Sequence, residues 1–461
     1  MNRVRLFCAV YCLILLLCVA VARSQSLRVS ENQRYLTYSE GKPFFYLGDT
    51  AWELFHRLDR QQATYYLENR SRKGFTVIQA VVLAERDGLG TPNPYGVRPL
   101  IENDPARPNL KYFEHVDFVV DKAAELGLFI GMLPTWGSYW SMNNPGRVIF
   151  NPDNARRFCR FLANRYKDKP VIWILGGDHN IHRPEERRII EAMAAGLTAG
   201  DGGAHLITFH PRGPGPSSDY FHDADWLDFN MLQSSHGAHD HDNGLFIEHD
   251  YRLDPAKPTI DGEPRYETIP VGFYFDGANR QDRFDAYDVR QAAYWALLAG
   301  ACGHTYGHNS VWQMYSSKHD PVLWASVSWR KALDHPGAFQ MGLLRKLFES
   351  RPFHLLVPRQ SIVLDGPRSG GAKIRAAVSS DNTFAFIYSP RGERFTIEKS
   401  WLQTDRTNEI WFDTRYGIAD KIHSADTRGI QTYTPPTRGR GCDWLLIVED
   451  AHKQYPLPGK D

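Results

Sequence analysis

The sequence predicts an α/β fold: a (β/α)8 TIM barrel over residues 25–350, followed by a C-terminal antiparallel β-sandwich over residues 351–461. Three observations predict it. Apolar, β-branched runs alternate with helix-periodic segments eight times in roughly 320 residues, which suits a barrel of about 250 residues with insertions. Polar or aromatic groups close each of those runs at its C-terminal end, where barrels carry their chemistry. Past Arg351 the helical period stops, and short alternating runs with turns between them take over.

Taken in order, residues 1–24 carry Arg3 and Arg5, an uncharged run from Leu6 to Ala22, and Ala20 and Ala22 in an A-x-A arrangement. This is the layout of a cleaved secretory signal, and the run falls short of the roughly 20 residues that a spanning helix needs. The protein is therefore expected to be secreted or periplasmic, free of the membrane once the signal is cut. Arg34 to Asp49 alternates and turns at Glu40-Gly41, a hairpin leading into the first barrel strand. Helical spacing over Leu58–Gly74, Tyr112–Gly127, Asn154–Lys167, Glu185–Leu197 and Asp285–Ala299 separates strands at Phe75–Leu83, Leu128–Trp136, Val171 onward, His205–Pro211, Trp226–Gln233, Pro258–Glu263 and Gly303–Trp312. Leu355–Pro358 reads as a linker. The runs AAVSS, FAFIYS, RFTIE, EIWFDT and WLLIVED then supply the sandwich.

Composition narrows the function. Removing residues 1–24 takes three arginines and no acid from totals of 54 basic and 53 acidic residues, a net of −2. Such a balance argues against a nucleic-acid or anionic-membrane partner. Cys159, Cys302 and Cys442 remain, so at most one disulfide forms and the fold must rest on its core. Aromatics make up 13% of the chain, with 12 Trp and 22 Tyr, many beside polar groups at strand ends, a mixture that suits the faces and hydroxyls of sugar rings. The expected partner is an oligosaccharide or polysaccharide, met by a monomer.

The strongest single stretch is VIWILGGDHN, Val171 to Asn180, a buried-strand run opening into two glycines, an acid, a histidine and an amide. PTIDGEPRYE, Pro258 to Glu267, repeats the design. Asp178 after the fourth strand and Glu263 after the seventh would face each other across the barrel mouth, as glycosidic cleavage requires of its acid and nucleophile. The alternative is a pair of structural carboxylates bound to Arg183 or Arg265. Asp49, Trp52, Gln79, Trp136, Tyr139, His179, His210, Gln233, His308 and Trp312 stand at the other strand ends as candidate substrate-binding groups. HGAHDHD invites a metal reading through His236, His239, His241 and Asp242, but its spacing matches no known ligand pattern, so no metal and no cofactor are expected. Serine-hydrolase, P-loop and Rossmann signatures are missing from the sequence.

With GDTAW (Gly48 to Trp52), WILGGDHN, DGEP (Asp261 to Pro264), GHNSVW (Gly307 to Trp312) and WFDTRYG (Trp411 to Gly417), the chain resembles the apiosidase-like glycoside hydrolases over nearly its whole mature length. That family pairs a TIM barrel with a C-terminal β domain labelled collagen-binding. The resemblance implies a retaining hydrolase of plant pectin that cleaves apiose from galacturonic acid in rhamnogalacturonan II, with Asp178 as acid/base and Glu263 as nucleophile. Wider barrel glycosidases place Asn-Glu after strand four, where Gly177-Asp178 stands here. Nothing in residues 351–461 reads as a collagen surface. The competing classes are a glycosidase on another plant side chain, a non-catalytic carbohydrate-binding protein and a metal-dependent hydrolase.

Overall fold

A computed structural model describes residues 26–459 apart from 144 and 423–428, so the expected signal segment lies outside the described residues. The chain enters through a small antiparallel sheet of Leu27–Val29, Leu36–Tyr38 and Pro43–Phe44. Phe44 meets Phe129 edge-on at 5.2 Å, which seals the N-terminal end of the barrel with aromatic surface.

Eight strands then wind the barrel: β1 Tyr46–Thr50, β2 Val77–Leu83, β3 Phe129–Thr135, β4 Val171–Gly176, β5 Ile207–His210, β6 Asn230–Gln233, β7 Thr259–Asp261 and β8 Gly303–Tyr306. Parallel ladders join β1 through β5 in order, and β6, β7, β8 back to β1. Between β5 and β6 the wall is nearly closed by Asp228 N–H donating to Ile207 O at 2.9 Å and Thr208 Oγ1 to Phe229 O at 2.6 Å. Every residue of these strands is buried, as parallel strands covered on both faces must be.

The covering helices are α1 Arg60–Arg72, α2 Leu110–Glu125, α3 Pro152–Tyr166, α4 Pro184–Asp201, α5 Gly244–Tyr251, α6 Ala286–Leu298 and α7 Pro336–Glu349. Side-chain caps fix several starts. Asp59 with Gln62, Asn151 with Asn154 and Asp285 with Asp288 form reciprocal capping boxes, each satisfying amide donors that the first turn leaves open. Between β5 and β6 lie only the two-residue strand Gly215–Pro216, paired antiparallel with β6, and the four-residue helix Ser218–Phe221.

Some sequence boundaries move. β6 and β7 are shorter than the runs Trp226–Gln233 and Pro258–Glu263, because the flanking residues are buried in loops and apolar character alone does not separate loop from strand. Leu356–Pro358 is a strand and not a linker: it pairs antiparallel with Arg375–Ser379.

The C-terminal region holds two antiparallel sheets. One runs Leu356–Pro358, Arg375–Ser379, Phe384–Ser389, Trp444–Asp450, Thr407–Asp413, Ile418–Ile422 in spatial order; the other is Val363–Asp365, Phe395–Glu398, Ile430–Tyr433. The period of two sorts the larger sheet into two buried faces. Ala385, Ile387, Leu446 and Val448 pack toward the smaller sheet. Phe384, Phe386, Tyr388, Leu445 and Ile447 pack instead with Tyr294 and Trp295 of α6 and Met341 and Phe348 of α7. α6 is consequently buried all round. Tyr294 stacks on Tyr388 at 4.7 Å, and Arg290 binds Asp443 through two nitrogens at 2.6 and 3.0 Å.

Among the described residues no helix is long and apolar enough to cross a membrane, and Cys159, Cys302 and Cys442 are all unpaired. Ending the chain at residue 355 would bare the apolar faces of α6 and α7, and such a fragment is expected to be insoluble or to melt well below the full chain in calorimetry. Unchanged melting and solubility would contradict a shared core.

Candidate active site

The turn after β4 is built from backbone that ordinary residues resist. Gly176, Gly177 and Asp178 have φ of 93°, 94° and 56° in succession. A Cβ at Gly176 would sit 2.3 Å from His210 O, and one at Gly177 2.9 Å from Gly137 N, so both positions need glycine for conformation and for room. Gly177 O accepts from Gly137 N–H at 2.9 Å and Gly177 N–H donates to His210 O at 3.1 Å, clamping the turn between its neighbours. Asp178 is thereby fixed at the barrel mouth.

His210, ending β5, links the two acids. Its Nδ1 accepts from the Asp178 backbone N–H at 3.2 Å, which leaves the ring proton on Nε2, and Nε2 lies 3.1 Å from Glu263 Oε2. His236 Nε2 stands 3.2 Å from the other oxygen, Oε1. Burial alone would raise the Glu263 pKa; the two imidazole contacts outweigh it and hold the carboxyl below its usual range. Asp178 moves the other way, raised first by burial and then by the Glu263 charge, against the opposing pull of His210, Arg212 and Gln233. Gln233 accepts from Gly213 N–H at 2.6 Å, which leaves its amide hydrogens for Asp178. One pocket thus holds an ionised carboxylate beside a carboxyl that keeps its proton, the division of labour that acid-assisted displacement needs.

Both acids line a cavity of about 430 Å3 whose walls include Trp52, Trp136, Tyr266, Phe273 and Trp312. Trp52 leans on Trp136 at 5.6 Å and on His210 at 5.5 Å. A larger cavity of about 800 Å3, edged by Arg57, Arg86, Arg147 and Lys318, lies alongside and shares Glu85 with the first. The smaller cavity is the candidate site because the opposed acids meet there.

Residues 30–354 match the family described as "Apiosidase-like, catalytic domain". The chain belongs to the apiosidase-like glycoside hydrolases. Residues 357–449 of this apiosidase-like chain match a second family, described as "Putative collagen-binding domain of a collagenase". A solved structure titled as a glycoside hydrolase is 35% identical, with a TM-score of 0.84 over 94% of this chain and 99% of its own. A glycoside hydrolase family 5 structure from Bacteroides vulgatus is 33% identical at the same TM-score, over 94% of this chain and 95% of its own. No curated protein matches the chain.

Within the apiosidase-like barrel the other candidates divide. Trp52, Trp136, Gln233 and Trp312 reach the cavity wall with the two acids. His210 lies beneath it and acts on the acids rather than on a ligand. Gln79 spans the barrel interior instead, accepting from Tyr46 Oη at 3.2 Å and donating to Gly262 O at 3.0 Å, just before Glu263. Asp49 is no ligand group: it points outward from β1 to Arg70 Nε at 2.7 Å and to the Tyr66 hydroxyl, with both ionic partners fully buried. Tyr139 donates to Ala84 O at 3.1 Å, and His179 packs over Gly137, its Nδ1 3.1 Å from Gly177 O. His308 caps the short helix Asn309–Trp312 through Ser310 N–H and meets His335 at 3.1 Å. Each of these five is away from the cavity lining because a nearer polar group claims it.

Arg183 and Arg265 do not pair with the acids. Arg265 donates to His239 O and to Gln291 Oε1, and Arg183 gives its N–H to Glu186. The proposed metal ligands diverge too: His236 faces Glu263, His239 bridges Asp282 and Asp288, His241 packs on Phe246, and Asp242 binds Lys373 and Arg375. Glu85, Arg212, Tyr266 and Phe273 join the site without having been singled out in the sequence. Glu85 follows the β2 run by two residues, the same signal that marks Asp178, and burial with the nearby Glu53 and Asp178 pushes its carboxyl up to about 8. Asp49→Ala would strand the Arg70 charge, so it is expected to cost about 3–5 kcal/mol of stability in denaturant titration. Full stability with weakened substrate binding would restore Asp49 to the ligand set.

Proposed function

We propose that this chain is a retaining apiosidase, exported by its N-terminal segment to the periplasm or cell exterior, that acts on apiose–galacturonic acid linkages of plant pectin such as rhamnogalacturonan II. The family membership supports the substrate class. The observation that carries the mechanism is the opposite polarisation of two carboxyls across one aromatic-walled cavity. Glu263 is ionised and aimed by two imidazoles, so it attacks the anomeric carbon and forms a glycosyl ester as the glycosidic C–O bond breaks. Asp178 holds the proton that the departing oxygen takes. Esterification then removes the Glu263 charge, the chief electrostatic support of the raised Asp178 pKa, so Asp178 becomes a base at the step where a water must lose its proton. That water opens the ester, returning Glu263 to its anion and Asp178 to its acid. Trp52, Trp136 and Trp312 offer faces for the sugar ring.

Glu263→Gln keeps shape and removes the attacking charge, and turnover is expected to collapse with little change in melting temperature. Near-parental turnover would sink the nucleophile assignment. Asp178→Ala is expected to slow natural substrates by about 10²–10⁴-fold, the usual worth of acid/base help. The loss should be smaller on an aryl glycoside whose leaving group needs no proton, and azide should recover part of it. Equal loss on both substrates without azide rescue would exclude the acid/base role.

The pH profile of kcat/KM follows from the signs. Activity needs Glu263 ionised and Asp178 protonated, so the acid limb should lie below the ordinary carboxylate range of about 4, and the alkaline limb well above it. Limbs converging on ordinary values would break the argument. Activity is also expected to survive exhaustive chelation, and loss reversed only by a divalent ion would reopen the metal-dependent reading.

A further inference from the structure

The segment from Ser234 to Asn243 leaves β6 at the cavity and lays His236 on Glu263. Its ends are tied to Asp261, the last residue of β7: Ser234 Oγ donates to the carboxylate at 2.7 Å and Asn243 Nδ2 at 2.9 Å. Its middle is gripped from the other domain. Lys373 Nζ and Arg375 Nη2 donate to Asp242 at 2.6 and 2.7 Å, and Arg391 Nη2 reaches both oxygens of Asp240 at 2.9 and 3.0 Å. Gly371 presses on the same place, since a Cβ there would stand 1.9 Å from Asp240 Oδ1. Gly371 O accepts from Gln291 Nε2 at 2.9 Å, and Gln291 takes Arg265, two residues beyond Glu263, at 3.0 Å. His239, between Asp282 and Asp288, is braced at one remove by Arg440 Nη2 on Asp288 at 2.8 Å.

We infer that the C-terminal domain is a positioning part of the active site: Lys373, Arg375 and Arg391 hold the 234–243 segment so that the imidazole of His236 stays on Glu263. The inference rests on Glu263 being the nucleophile. An isolated exposed ion pair would carry little. Here Asp242 is met by two cations, and the Arg375 side chain is only 3% exposed, so the segment has few other places to put those carboxylates. The segment is long and contains Gly237; besides this grip its course rests on its two ends, on Gly272 N–H donating to His236 O at 2.7 Å, on the His239 contacts with Asp282, Asp288 and Arg265, and on the His236 ring contacts with Tyr266 and Phe273. The stretch from His236 to Asp242 is thereby the docking strip for a cationic edge of the neighbouring domain.

The test compares the full-length parent with the double variant Lys373→Met, Arg391→Gln, which leaves the buried Arg375 pair in place, and with the charge swap Asp240→Arg, Arg391→Asp. The His236 ring resonance is followed in histidine-labelled protein and assigned with His236→Gln. In the double variant it should shift or broaden, kcat should fall about 10- to 100-fold for a catalytic group left loosely held, and the swap should recover part of that loss relative to Arg391→Asp alone. The acid limb should move to higher pH, because Glu263 loses one donor while His210, Asp178, Glu85, Arg212 and Tyr266 still face it. An unmoved His236 signal overturns the inference. So does a moved signal with kcat and the acid limb intact while Glu263→Gln is inactive. Should Glu263→Gln stay active, the nucleophile reading fails by itself, and the His236 signal still decides whether the domain holds the contact.

Discussion

A charge held in a nearly dry pocket is the constraint around which this barrel is arranged. Glu263 is 7% exposed, and a carboxylate in that position would neutralise itself unless donors met both oxygens. His236, from the segment after β6, hydrogen-bonds one oxygen, and His210, from β5, stands 3.1 Å from the other as an electrostatic partner. Neither could be replaced by water without losing the fixed direction that a buried imidazole provides. The same histidine that serves Glu263 also receives the backbone of Asp178, so the two acids are set by one ring and cannot drift independently.

The second acid is placed by backbone rather than by side-chain reach. An aspartate is one methylene shorter than the glutamate that many barrel glycosidases use, and the three successive positive-φ residues carry its Cα to the mouth. That geometry is affordable only where nothing projects: Gly176 lies against His210 and Trp140, whose Nε1 donates to Gly176 O at 2.8 Å, and Gly177 lies against Gly137.

Much of this was legible from the sequence, for identifiable reasons. The strands of a parallel barrel are dry on both faces, so the Val171 and Val77 runs announce themselves, and an acid at the end of such a run has few reasons to be there other than chemistry. Capping residues such as Asp285 mark helix starts just as directly. What sequence could not separate is the direction in which a polar strand-end residue points. Asp49 and Asp178 have similar neighbours in the text, yet one turns to Arg70 on α1 and the other to the cavity. His236 was hidden for another reason: its partner lies 27 positions away on a different strand, and histidine-rich text suggests metal before it suggests a carboxylate. Glu85 lies two residues beyond the β2 run, where the apolar signal has ended, and Leu356–Pro358, closed by its proline, looks like linker until a partner strand is seen.

The shared wall at Glu85 alters the charge account of the cavity. Three carboxyl groups line it, and in water all three would be anions at neutral pH. Burial and mutual repulsion instead raise Glu85 to about 8 and Asp178 to about 7, so near neutrality Glu263 and only part of the other two charges stand opposite the Arg212 cation. The chamber thus carries less negative charge than its acidic inventory implies, which lowers the electrostatic barrier to an acidic ligand.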